Sequence, residues 1–210
     1  MSSTTSLPDD AAIAGFWQVV ARDGWHGVTM RAVAAEAGLP AAGLRERFGS
    51  PQSILLAHGR AVDAEVVAGT VDDPTSTPRD RLFDVLMRRI DAMQPHRRGI
   101  LRLLDDALAD PFLALFLASA LPRSMAWMLE AARIGTNGFG GALRANGLVG
   151  VWLYTARAWA RDATEDLGPT MAALDRALDR AEQAARTIGL GPADHAAAGR
   201  LDEGVAAAPT

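Results

Sequence analysis

The chain has 210 residues, 49% of them hydrophobic and 22% charged, enough for one domain or two small ones around a buried core. Its 21 basic residues are all arginine and face 25 acidic ones, for a formal charge of −4, so nucleic-acid binding must rest on a local patch. There is no cysteine, which excludes disulfides, thiolate nucleophiles and Cys-ligated metal sites.

Alanine fills 42 positions, whereas Tyr occurs once and Phe six times. That balance favours packed helices over sheet and predicts an all-α fold. The opening MSSTTSLPDD has neither the basic nor the apolar region of a signal peptide. The longest uncharged apolar stretch, Pro111 to Pro122, has 12 residues, short of the ~20 that span a membrane. The expectation is a cytoplasmic protein without integral membrane association.

Residues 1–10 are small and polar and read as a flexible N-terminus. Asp9 or Asp10 caps a helix in which Ile13, Phe16, Trp17 and Val20 form one apolar stripe, and Gly24 ends it. Thr29 caps a second, short helix with Val33, Ala34 and Ala37 inward, stopped by Gly38. Pro40 suits the first position of a third helix, about Ala41 to Phe48, with Leu44 and Phe48 inward. Ser50 and Pro51 open a fourth that runs to about Gly69. Residues 11–70 thus form an N-terminal three-helix unit with a fourth helix leading away, and Val71 to Pro78 reads as a linker.

Residues 71–190 form a C-terminal helical bundle. Leu82, Val85, Leu86, Ile90 and Met93 share an apolar face, and Pro95, Pro111, Pro122 and Pro169 divide the remainder into several helices. Leu148, Val151, Trp152, Thr155, Ala156 and Trp159 make one stripe. Met171, Leu174, Leu178, Ala181, Ala185 and Ile188 step 3-4-3-4-3 as a heptad seam. Residues 191–210, rich in Gly, Ala and Pro, read as a disordered tail.

Thr29 to Phe48 has the dimensions of a helix-turn-helix whose second helix can enter a major groove. The run AAIAGFWQVVARDGWHGVTMRAVAAEAGLPAAGLRERFGSPQSILLAHGR resembles the N-terminal, homeodomain-like domain of TetR-family transcriptional regulators, in its D-G-W turn, T-M-R-A-V-A-A-E-A-G supporting helix and recognition helix ending in Phe48. The resemblance implies a homodimeric regulator, a repressor released by a small hydrophobic effector, on a palindromic double-stranded operator. Thr29, Arg31, Ala41, Ala42, Gly43, Arg45, Arg47 and Ser50 are the implied DNA contacts. Arg45 stands where the family often has a phosphate-touching Tyr, and Arg47 replaces its His. Arg22, Arg31, Arg45, Arg47 and Arg60 against Asp23, Glu36 and Glu46 give this segment a charge of about +2, enough for several phosphate contacts per subunit.

In TetR-like proteins the C-terminal region binds the effector and dimerises. Met87, Met93, Phe112, Phe116, Met125, Trp127, Met128, Trp152 and Trp159 are candidate linings of an apolar pocket. Trp159, Met171, Leu174, Leu178, Ala181 and Ala185 are candidates for a four-helix dimer interface; the alternative is an ordinary seam within one chain. SMAWMLEAA and WLYTARAWARDATEDLGPTMAALDRAL are also similar to the TetR-fold lipid-binding proteins of ubiquinone biosynthesis, which implies the alternative of a lipid-binding accessory protein without DNA binding.

His26, His58, His96 and His195 have no partner at metal-ligand spacing. No nucleophile elbow or P-loop is present. Gly135, Gly138, Gly140 and Gly141 follow no strand and read as a flexible connection, and Asp105 and Asp106 as solvated carboxylates. Neither an enzyme nor a cofactor is expected.

Overall fold

Two aspartates in the first turn of helix α1 (Leu7–Asp23) face the positive end of its dipole, and its stripe of Phe16, Trp17, Val19 and Val20 is buried. In the computed structural model, which describes residues 7–71, 75–187 and 189, this helix organises the N-terminal half. There follow α2 (Met30–Ala37), α3 (Ala41–Phe48), α4 (Pro51–Gly69), α5 (Pro78–Met93), α6 (Arg97–Ala109), α7 (Pro111–Ala131), α8 (Gly138–Arg161) and α9 (Gly168–Thr187). No β-strand element occurs among the described residues, and the fold is all-α.

The chain divides into two compact units. The first holds the described residues up to Ala64 together with Ala92–Ala120; the second holds Glu65–Asp91 and the described residues from Leu121 onward. The expected boundary after residue 70 differs from this division, because Ala92–Ala120 groups with the N-terminal helices. In the first unit α1 packs on α2 and on α6. The approach to α6 needs a glycine: a Cβ on Gly99 would lie 2.8 Å from the Trp17 ring and the Trp17 carbonyl oxygen. Asp106 of α6 is not a solvated carboxylate. It accepts from the Trp25 backbone N–H at 2.6 Å and from Arg102 Nε at 3.1 Å, whereas Asp105 is exposed.

In the second unit α8 and α9 pack side by side, burying Leu148, Val151, Trp152 and Trp159 from one and Ala173, Leu174, Ala177 and Leu178 from the other. Asp162, just past α8, fixes the corner. It accepts from the backbone N–H and hydroxyl of Thr164 at 3.0 and 2.6 Å, and from those of Thr170 at 3.0 and 2.6 Å. These bonds, the Thr164 and Thr170 hydroxyls foremost, hold the carboxyl well below its ordinary pKa. Arg79 of α5 reaches both Asp175 and Asp179 of α9 at 2.6 Å.

Several expectations need correction. Leu7 to Asp10 belong to α1 instead of a flexible terminus, and Asp9 is buried. Pro122 lies inside α7 and does not end it; loss of one amide donor is tolerated within a 21-residue helix. That continuity makes α7, with a mean hydropathy of 1.5, long and apolar enough by length and composition to cross a membrane, although Arg123 lies within it. Gly138, Gly140 and Gly141 form the first turn of α8. Ile188 and the tail at 191–210 lie outside the described residues.

Candidate nucleic-acid interface

The α2–turn–α3 segment is closed by local hydrogen bonding. Thr29 caps α2, its Oγ1 accepting from the Ala32 N–H at 3.1 Å. Gly38 ends α2 at φ 65 and ψ 27, a left-handed conformation that glycine adopts without steric cost. The Leu39 N–H then bonds the Ala34 carbonyl at 2.9 Å, completing the reversal. Pro40 is the N-cap of α3 and stands one residue before its first turn.

One buried side chain, Leu44, anchors α3. Ala41, Ala42, Gly43, Arg45 and Glu46 are exposed, and a Cβ on Gly43 would meet nothing within 4 Å. The helix thus presents a low, small-residue front to solvent with Arg45 one turn behind it. Such a surface lets backbone approach a groove and leaves hydrogen bonding to a few long side chains. Ser50 starts α4, its Oγ accepting from the Ser53 N–H at 3.3 Å.

The arginines of this segment separate into two groups. Arg22 bonds Glu36 at 2.6 Å and also Asp23, which raises its guanidinium well above the ordinary value, the Asp23 hydrogen bond first. Arg47 donates to both oxygens of Asp9, at 3.2 and 2.7 Å, and is raised for the same reason. Arg31, Arg45 and Arg60 have no ion-pair partner among the described residues; Arg31 lies in the first turn of α2 and Arg45 in the middle of α3. By its position on α3 Arg47 belongs with Arg45. The distinction depends on Asp9, 38 residues away, and no local pattern reveals it.

The candidate effector residues are not brought into one unit. Met93, Phe112 and Phe116 belong to the first and Met87, Met125, Trp127, Met128 and Trp152 to the second. Phe112 is 86% exposed, while Met125 and Met128 are fully buried. Arg89, which the sequence reading did not single out, is buried on α5 with its guanidinium 5.0 Å from the Trp152 ring and 3.9 Å from Met128 Sδ. Its place on the apolar face of α5 was the available signal.

The candidate interface residues Trp159, Leu174 and Leu178 are buried within their own chain, as the alternative of an intramolecular seam requires. Met171, Ala181 and Ala185 are half-buried. The outward apolar residues of α8 are Phe139, Leu143, Leu153 and Tyr154.

No protein-family model matches the sequence, and no curated protein matches it. Solved structures do. A TetR transcriptional regulator from Nitrosomonas europaea superposes with a TM-score of 0.66 at 20% identity, covering 82% of this chain and 96% of that one. One from Rhodococcus sp. RHA1 gives 0.59 at 17% identity, covering 82% and 93%. A TetR-like regulator from the same organism gives 0.52 at 22% identity, covering 86% and 97%. The chain has the fold of the TetR regulators, an N-terminal helix-turn-helix followed by a helical C-terminal region.

Proposed function

We propose that this protein is a TetR-type DNA-binding transcriptional regulator. The observation that carries the reading is the exposed α3 front, Ala41, Ala42 and Gly43, on a helix-turn-helix whose Arg31 and Arg45 are exposed and have no ion-pair partner among the described residues. Arg31 and Arg45 supply phosphate contacts, Thr29 and Ser50 hold the helix starts that face the backbone, and the small residues admit methyl contacts to thymine. Arg47 serves as a tether from α3 to α1.

Dimerisation through the outward face of α8 would double these contacts and match a palindromic operator. The effector is a small hydrophobic molecule taken up by the C-terminal region, and it releases the operator by binding the free arrangement more tightly than the bound one. Gel retardation with the DNA upstream of the protein's own gene tests the reading. A shift that weakens as salt rises supports it, and no shift at low salt overturns it.

A second reading, a TetR-fold lipid-binding accessory protein, is favoured by a different observation. Leu108, Phe112 and Leu115 are 88%, 86% and 69% exposed around the α6–α7 corner, an apolar cluster of the kind that marks association with a partner or lipid. Failure to retard DNA together with a lipid in the purified protein selects this reading.

A further inference from the structure

We propose that the cleft between the end of α8 and the start of α9 binds a small organic anion, a phosphate or carboxylate on a compact apolar body. The proposal does not depend on the DNA-binding reading. The cleft lies wholly within the second unit. Its volume is about 480 Å³, within the range of small-molecule sites.

Arg157 and Arg161 of α8 and Arg176 of α9 all line it. Arg157 and Arg161 are four residues apart and share one helix face. None of the three has an ion-pair partner among the described residues. Elsewhere Arg22, Arg47, Arg79, Arg102 and Arg186 are each paired with a carboxylate, in a chain where acids outnumber arginines 25 to 21. Three cations left together repel one another, and an anion held between them removes that cost while accepting charge-assisted hydrogen bonds. Asp162, the acid of the cleft, directs its oxygens to Thr164 and Thr170.

The remaining surface defines the rest of the ligand. Ala158, Pro169, Ala173 and Tyr154 also line the cleft, and the Arg180 guanidinium lies 6.0 Å from the Tyr154 ring. Such a wall accepts an aromatic or short aliphatic body, while arginine forks pair with carboxylate and phosphate alike and three of them favour the more highly charged phosphate.

Phenyl phosphate, phenylacetate and benzyl alcohol are the probes, titrated into the full chain by calorimetry and followed by backbone-amide chemical shifts. Saturable binding in the order phosphate, carboxylate, alcohol is expected, with shifts concentrated at residues 154–176. Arg157→Gln with Arg176→Gln should weaken phenyl phosphate by roughly tenfold per arginine, and Arg186→Gln should leave it unchanged. Absence of saturable binding, equal affinity for benzyl alcohol, shifts centred outside the cleft, or undiminished binding by a folded double variant each overturn the proposal. Should the double variant not fold, the charge order and shift map of the unaltered chain decide alone.

Discussion

Arg47 on the recognition helix grips Asp9 of α1 with two hydrogen bonds, at 3.2 and 2.7 Å. Asp9 is buried, while most of the Arg47 side chain is open to solvent. The pair therefore fixes how α3 is held on the first helix, and Arg45, two residues earlier and unpaired, is left to meet a ligand.

The two arginines should separate experimentally. Arg45→Ala is expected to weaken binding to the operator and to lower the salt slope by about one per subunit, with the Tm unchanged. Arg47→Ala should lower the Tm, because it strands the buried Asp9 carboxylate. Thermal melts and gel retardation on both variants check this, and a Tm loss confined to Arg45→Ala refutes it.

Burial predicts which apolar residues hold the chain together and which hold two chains together. Leu174 is 0% exposed, and Leu174→Ala should cost about 2–5 kcal/mol of stability, read by denaturant unfolding. Leu153 is 52% exposed, so Leu153→Glu should leave helicity intact and shift the sedimentation of the proposed dimer toward the monomer. A stable dimer in the Leu153→Glu variant would remove the outward face of α8 from the interface.

Asp162 carries an acid-dependent share of stability. Its carboxyl is held below the ordinary value by Thr164 and Thr170, so the folded state favours the ionised form. That contribution is complete above the unfolded pKa of about 4 and disappears as pH falls through the lower folded value. Asp162→Asn should therefore melt earlier than the unaltered protein at pH 7, and the difference should narrow below about pH 4. A difference that does not change with pH contradicts the assignment.

His96 should act at milder pH. It stacks on Trp17 at 6.1 Å with 21° between the rings and lies 5.2 Å from His58. Burial lowers its pKa below the ordinary histidine value. The fold thus favours neutral His96, and stability from this source is present above about pH 6.5 and lost as pH falls through the folded pKa. His96→Phe should flatten the decline in Tm as pH falls below about 6.5, and an unchanged decline assigns it to other groups.

Local information was enough for the elements. Thr29, Gly38, Ser50 and Pro51 each act within one turn of themselves, so the caps and turns of the helix-turn-helix were legible as written. The same reasoning failed at Pro122, which ends a helix by propensity but sits inside α7, where flanking apolar residues such as Met125 and Met128 are buried. Periodicity identified the seam through Leu174 and Leu178 as apolar. It could not say whether α8 of the same chain or of another covers it, since both choices bury the same stripe.

The charge of −4, the lack of lysine and the helical class came from composition alone, and the position of the candidate DNA-reading segment from its caps, its turn residues and a family resemblance. Which arginines remain available was decided by tertiary structure. Arg22 and Arg47 are taken by Glu36 and Asp9, while Arg31, Arg45 and the trio Arg157, Arg161 and Arg176 are left open. Helix formation depends on neighbours three and four residues away, which the sequence displays. An ion pair depends on distance in space, and that is set only once the helices have packed.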